Sequence, residues 1–187
     1  VTGPFGTNFT QKANTNYLMI AGGYGAAPLY FLSQQLIDKN NKIDFFLGAR
    51  SDKNLLFLKK IKQLPQTNLH IATDDGSAGK KGFVTDLLEK YLMSADEKQN
   101  ILVCTCGPEL MEKRVLELCN QYGVAAEISI ERYMKCGFGV CGQCTVDPLG
   151  INMCTSGPVV DKNIANQITE FGKYHRDKSG TKIYFDN

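Results

Sequence analysis

Four cysteines, Cys136, Cys141, Cys144 and Cys154, stand in a glycine-rich stretch as C-x4-C-x2-C, with the fourth following after nine more residues. Thiolates are soft ligands, and this is the plant-type spacing that holds a 2Fe-2S cluster. The chemistry it implies is transfer of single electrons. Gly137, Gly139 and Gly142 separate the first three thiols; glycine takes positive φ readily and lets a chain wrap closely round a small inorganic core. Backbone amides of such a loop can donate to the sulfurs and so help to set the potential of the centre. The competing reading is structural zinc. Zinc sites usually pair two short knuckles, whereas here only Cys141 and Cys144 form a C-x2-C, so the spacing favours iron and sulfide.

Other short segments could hold a dinucleotide. In Gly22-Gly23-Tyr24-Gly25-Ala26-Ala27-Pro28 a strand turns directly into a helix. Its glycines would let the backbone approach a pyrophosphate, whose charge suits the unpaired N–H groups and dipole of a helix start, and Pro28 suits a first helical turn. The full G-x-G-x-x-G pattern is missing, and an ordinary tight turn is the alternative. The polar run from Thr73 through Asp74, Asp75 and Gly76 to Gly82 could fold over a ligand or be a solvated loop. Cys104-Thr105-Cys106-Gly107-Pro108 ends a buried strand at a thiol where a helix opens. Cys106 is expected to point into the crevice and is the candidate catalytic residue; Cys104 and Cys119 read as small buried hydrophobes. Arg50, after Gly48 and Ala49, could reach an adenosine ribose or phosphate, and nearby Asp52 would repel a 2′-phosphate, favouring NAD over NADP. The candidate nucleotide-binding residues are thus Gly22, Gly23, Gly25, Pro28, Arg50, Asp74, Asp75, Gly76, Gly107 and Pro108.

Positioning these segments requires an α/β fold. Short apolar runs at Tyr17–Ala21, Ile43–Leu47, Leu69–Ala72, Ile101–Cys104 and Ala126–Ile130 alternate with helical periods, which predicts a five-stranded parallel sheet flanked by helices. Val84, Leu87, Leu88, Tyr91 and Leu92 form one core-facing stripe; Met111, Val115, Leu118, Cys119 and Tyr122 form another. Phe57, Leu58, Ile61 and Leu64 make a weaker one, stopped by Pro65. Ligands of such a sheet bind at the carboxyl ends of its strands, where the candidate loops fall. After Glu131 the pattern changes to glycine, cysteine and turn residues. The expected organisation is a leading segment over 1–15, a NAD-binding domain over 16–131, and a small cluster-binding domain with a tail over 132–187.

The bulk properties bound the function classes. The 187 residues carry 21 Lys+Arg against 19 Asp+Glu, a formal charge of +2, so no basic field argues for nucleic acid or membrane partners. Seven cysteines, an odd number, four of them spoken for and no signal peptide ahead of them, argue against a disulfide framework and for a reducing cytoplasm. The longest apolar stretch, Tyr17 to Leu32, is broken by Gly22, Gly23, Gly25 and Pro28 and is not a membrane span. His70 and His175 lie far apart without a second ligand and receive no role. Arg132 and Lys135, beside the first thiol, could offset cluster charge or form a solvated face.

Taken in order, the GGxGxxP loop, the T-D-D-G-x-x-G segment from Thr73 to Gly79 and C-G-P after the fourth strand resemble the nucleotide-binding half of the ferredoxin-NADP reductase superfamily. There they hold the pyrophosphate, lie beside the nicotinamide and follow the fourth strand, respectively. The run Glu131 to Cys144, followed by Cys154-Thr155-Ser156-Gly157-Pro158-Val159, resembles the electron-transfer subunits of NAD-linked, class 1B dihydroorotate dehydrogenases; Phe171 to Asp177 is similar to archaeal-type members. The resemblance implies an oxidoreductase of pyrimidine biosynthesis. In it, electrons from dihydroorotate pass from the FMN of a catalytic partner through the 2Fe-2S cluster and FAD to NAD, in an assembly of two of each subunit. It also places Glu131, at the end of the fifth strand, where the flavin approaches. The gap before Cys154 is shorter than in many relatives.

That family begins with a flavin-binding β-barrel of about 100 residues, for which this sequence has no counterpart, and Val1-Thr2-Gly3-Pro4-Phe5-Gly6-Thr7-Asn8-Phe9 looks like the linker that follows it. Nicotinamide exchanges two electrons as hydride while a 2Fe-2S centre carries one, so a flavin must stand between them. The chain is therefore expected to be a fragment or to work with a flavin-bearing chain, and not to turn over NADH alone. The rivals are a reductase subunit serving a sulfhydrogenase or an oxygenase and, from another class, a zinc-stabilised binding module without catalysis.

Overall fold

A strand buried on both faces must be apolar at successive positions, because its side chains alternate between the faces. In the first strand Leu18 and Ile20 enter one apolar cluster while Tyr17, Met19 and Ala21 enter the other. Phe46 and Val103 likewise face the first cluster, and Phe45, Leu47 and Cys104 the second. The computed structural model describes Gly3 and residues 5–185; of the stretch read as a linker, Val1, Thr2 and Pro4 lie outside the described residues.

The order of elements is β1 (Asn16–Gly22), α1 (Ala26–Leu36), β2 (Lys42–Ala49), α2 (Leu58–Ile61), β3 (Thr67–Thr73), β4 (Lys80–Lys81), α3 (Val84–Ser94), β5 (Ile101–Cys106), α4 (Glu109–Gln121) and β6 (Ala125–Ser129). There follow β7 (Thr145–Val146), β8 (Ile151–Asn152), α5 (Met153–Ser156), β9 (Val159–Asp161), α6 (Lys162–Gln167), β10 (Tyr174–Arg176) and β11 (Lys182–Tyr184). The main sheet runs β4-β3-β2-β1-β5-β6-β9. Its five inner strands are the five expected ones and pair with one another in parallel. The sequence pattern does not show the two edges: β4, parallel to β3, and β9, antiparallel to β6 with Ser129 opposite Val159.

The chain leaves β1 in one direction through β2 and β3, then returns to its other side through β5 and β6, so the strand order reverses beside β1. Such a switch opens a crevice at the carboxyl ends. Gly25 shows how tightly it is built: a Cβ there would lie 1.9 Å from the carbonyl oxygen of Cys106, so only glycine lets the first turn sit against the end of β5. The thiol-bearing segment packs directly on the core of the sheet. Cys144, Val146, Met153, Cys154, Val160 and Phe171 belong to the same apolar cluster as Leu18, Ile20 and Val103. Among the described residues no helix is long and apolar enough to cross a membrane.

Candidate functional site

Where β1, β2 and β3 end, a cleft of about 870 Å³ opens, lined among others by Gly22, Gly23, Arg50, Lys53, Asp74 and Pro108. The first turn leaves β1 through Gly23, at φ 53°, into α1, presenting backbone N–H groups near a helix start, which suits an anionic ligand. Tyr24 and Phe83, 89% and 67% exposed, flank the same space as apolar platforms. Arg50 and Lys53 supply positive charge there, and neither is ion-paired among the described residues. Arg114 also lines the cleft but is paired with Glu89 at 3.2 Å. The donor set fits a dinucleotide.

A second cleft of about 790 Å³ lies beyond Pro108, which lines both. Gly107, Glu112 and Glu131 form part of one wall, and His175, Arg176 and Phe185 from the terminal hairpin form part of another. Behind it lies a buried ion network. The Arg132 guanidinium donates to Glu109 at 2.6 and 3.3 Å and to Glu170 at 2.9 Å. Glu170 also accepts the N–H of Asp147 at 3.3 Å, and Glu109 that of Gly172 at 2.8 Å. One arginine thus ties the start of α4 to the thiol-bearing loop and to the tail. Truncating one member of a buried network of this kind strands the remaining charges. Glu112, 1% exposed, accepts the Gly107 N–H at 3.0 Å. Burial raises its carboxyl well above the ordinary carboxylate range, and Glu109 and Glu131 add to the rise against the opposing Gly107 N–H and Arg132.

All four thiols of the motif are free. The Cys141 backbone N–H is the largest influence on Cys136, followed by that of Phe138, with lesser help from the Cys141 thiol and the Val140 N–H; together they lower it to about 6. The Cys154 N–H donates to the Cys144 sulfur at 3.4 Å, and burial together with the Cys144 thiol raises Cys154. Cys144 and Cys154 are buried, Cys141 is exposed and Cys136 lies between. Gly137, at φ 83°, approaches the Phe5 ring so closely that a Cβ would stand 2.6 Å from it. The β7–β8 hairpin closes the loop: Met153 N–H donates to Cys144 O at 3.1 Å, and Asn152 Nδ2 donates to Gly139 O at 3.2 Å. No three His, Cys, Asp or Glu side chains among the described residues converge on a point suited to a single ion. Free thiols with backbone N–H groups directed at the sulfurs of Cys136 and Cys144 fit an iron-sulfur centre.

Not every residue singled out from the sequence reaches a cleft. Gly22, Gly23, Arg50 and Asp74 line the first, Gly107 and Glu131 the second, and Pro108 both. Gly25 is buried in packing, and Pro28 lies in the first turn of α1, away from the lining. Asp75 and Gly76 stand outside both clefts; Asp75 instead accepts the Ser77 N–H at 2.9 Å and holds the turn. Cys106 lines neither cleft, and burial, reinforced by Glu112, pushes its thiol up to about 11. Asp52 is likewise off the cleft wall, its N–H bonded to Ser77 Oγ at 2.8 Å. Arg132 is spent on its two carboxylates rather than on the thiols. His70 bonds Asp44 at 2.7 Å and stacks on Phe46, a structural role, whereas His175 lines the second cleft. Sequence reading missed Tyr24, Phe83 and Glu112. For Glu112 a signal existed: it stands at i of the buried series Val115, Leu116 and Cys119, where a carboxylate is out of place.

A parallel sheet with a glycine-turn cleft at its carboxyl end, joined to a four-thiol loop, defines a class: oxidoreductases that couple a nicotinamide nucleotide to an iron-sulfur centre. Residues 19–117 match the oxidoreductase NAD-binding domain, and residues 131–164 match the iron-sulfur cluster binding domain of dihydroorotate dehydrogenase B. The chain is 44% identical over 185 residues to the probable dihydroorotate dehydrogenase B (NAD(+)), electron transfer subunit, of Methanocaldococcus jannaschii, covering 99% of this chain and 70% of that protein. The protein of the same description from Methanothermobacter thermautotrophicus is 35% identical over 183 residues, covering 98% and 66%. A solved structure of NADH-dependent reduced ferredoxin-NADP oxidoreductase superposes with a TM-score of 0.75 at 30% identity, covering 87% of this chain and 58% of that one. The chain belongs to the family of dihydroorotate dehydrogenase B electron transfer subunits and spans about two thirds of the length of these relatives.

Proposed function

We propose that this chain is the conduit between a dihydroorotate-oxidising partner and NAD. In this reading the thiols hold a 2Fe-2S cluster, the first cleft holds NAD, and an FAD ring mediates at the second cleft beside Glu131. The partner is an FMN-bearing catalytic subunit in an assembly of two of each, serving pyrimidine biosynthesis in the cytoplasm. The observation that carries the reading is the C-x4-C-x2-C spacing completed by Cys154, in a glycine-rich segment packed on the sheet that forms the cleft, with backbone N–H groups of Cys141 and Phe138 directed at Cys136 and that of Cys154 at Cys144. Cys136, Cys141, Cys144 and Cys154 would hold the cluster as thiolates, and the cluster would supply one-electron transfer, which a zinc ion on the same four thiols would not.

When bound, the cluster supplies single-electron transfer and the nicotinamide takes up two electrons as hydride. The chain's own residues bind and orient. The Gly22–Gly23 turn offers N–H groups to a pyrophosphate, Arg50 faces the adenosine side, Asp74 lies beside the nicotinamide, and Gly107 and Pro108 direct the nicotinamide toward the second cleft. Cys106, a neutral thiol at pH 7, acts there by packing, not as a nucleophile. Oxygen-free purification with the native partner tests the reading. The expected result is a brown complex with about two irons and two sulfides per chain, a rhombic EPR signal after one-electron reduction, and a co-purifying FMN protein of dihydroorotate dehydrogenase type. A colourless, zinc-containing protein would overturn it; a different partner would assign the same conduit to a sulfhydrogenase or an oxygenase.

A further inference from the structure

We propose that Glu112 is the proton donor of the second cleft, supplying from its carboxyl group the proton that must join electrons arriving through the thiol centre. This rests on reading the chain as a conduit to NAD. The balance demands such a group: NAD⁺, two electrons and one proton give NADH, and an iron-sulfur centre delivers its electrons singly and without protons. A filled cleft holds little water.

Glu112 has the required placement. Its side chain is 1% exposed and lines the wall shared with Gly107, Pro108 and Glu131. Oε1 is engaged by the Gly107 N–H at 3.0 Å, while Oε2 has no partner among the described residues. No side-chain oxygen sealed from solvent is left unbonded there, so Oε2 opens on the cleft. The charged and titratable groups around it are Glu109 on its own helix, Glu131 and Arg132 from the segment after β6, and Cys106 at the end of β5. Across the cleft stand His175, Arg176, Asp177 and Lys178 of the hairpin. Arg132 is already engaged by Glu109 and Glu170, so it only partly offsets the burial that raises the Glu112 carboxyl well above the ordinary carboxylate range. On transfer its O–H bond would break, the electron pair would stay on the carboxylate, and the proton would pass to the flavin that the proposed function sets between the thiol centre and NAD⁺, joining there the two electrons that go on to NAD⁺ as hydride to give NADH. Solvent at the cleft mouth then returns a proton to the carboxylate.

A merely structural Glu112, capping the start of α4, makes a different forecast, because glutamine keeps an oxygen for the Gly107 N–H. The test uses the holo complex with its partner, as wild type and Glu112→Gln. Infrared difference spectra of the wild type should show a carboxylic-acid C=O band at neutral pH that changes on reduction and is absent from the variant. Formation of NADH should slow about 100-fold in the variant, with an enlarged solvent isotope effect, while reduction of the cluster by the donor and binding of NADH stay unchanged. Absence of a redox-linked band in the wild type, which needs no variant to fold, overturns the proposal, as does an unslowed Glu112→Gln enzyme. If wild type shows no cluster signal or no reaction with NAD, the conduit reading itself fails and Glu112 loses its role with it.

Discussion

Cys141 and Cys154 are both ligand candidates, yet one is exposed and the other buried in the main core. Either Cys→Ser change should abolish bound iron, measured by metal analysis. Only Cys154→Ser should also lower the stability of the iron-free protein, by about 1–3 kcal/mol, because it buries a hydroxyl among apolar neighbours. Glu112 offers a second expectation at this scale. Its folded-state pKa lies above the ordinary 4.5, so its protonated form favours the fold. Its contribution is complete below pH 4.5 and declines as pH rises from there toward the folded-state value. Glu112→Gln should therefore gain stability relative to wild type as pH is raised through that window, read from paired denaturant midpoints; parallel pH curves would contradict it. The cysteines were legible because their spacing is itself the chemistry. Glu112 was legible only as a carboxylate out of place on a buried helical face; its surroundings were not, since Glu109, Arg132 and Glu131 meet it only in the folded chain.

At the scale of elements, the brace between α4, the thiol loop and the tail is one arginine. Arg132→Met leaves Glu109 and Glu170 buried without their cation and should cost about 3–5 kcal/mol; Arg132→Lys should recover part of that in thermal unfolding. Gly25→Ala forces the first turn away from the end of β5 and should cost about 1–3 kcal/mol, with weaker binding of NADH measured by titration. The five inner strands could be read because burial on both faces leaves unbroken apolar runs such as Leu18-Met19-Ile20. β4 is only Lys80–Lys81 and β9 only Val159–Asp161, too short for any period to show. Their pairing is decided by tertiary neighbours. The place of Asp74 on the cleft wall, and of Asp52 off it, depends likewise on how the loops after β2 and β3 fold against each other.

For the molecule as a whole, the change of residue pattern after Glu131 suggests two units, while the buried side chains on either side of it form one cluster. No local composition encodes that union; it follows from β9 returning to the edge of β6. Ser129 and Val159 are register partners, so the sheet closes the segment 130–158 at its base and meets the entropic penalty of joining its ends there. The receptacle is thus preformed, unlike small zinc domains whose folding waits for their metal. Stripping iron with a chelator should leave the far-ultraviolet circular dichroism nearly unchanged and allow rapid reloading with iron and sulfide. A cooperative collapse on stripping would contradict this. For the cell, a chain built this way can lose its inorganic cargo to oxygen and be repaired, without having to be synthesised again.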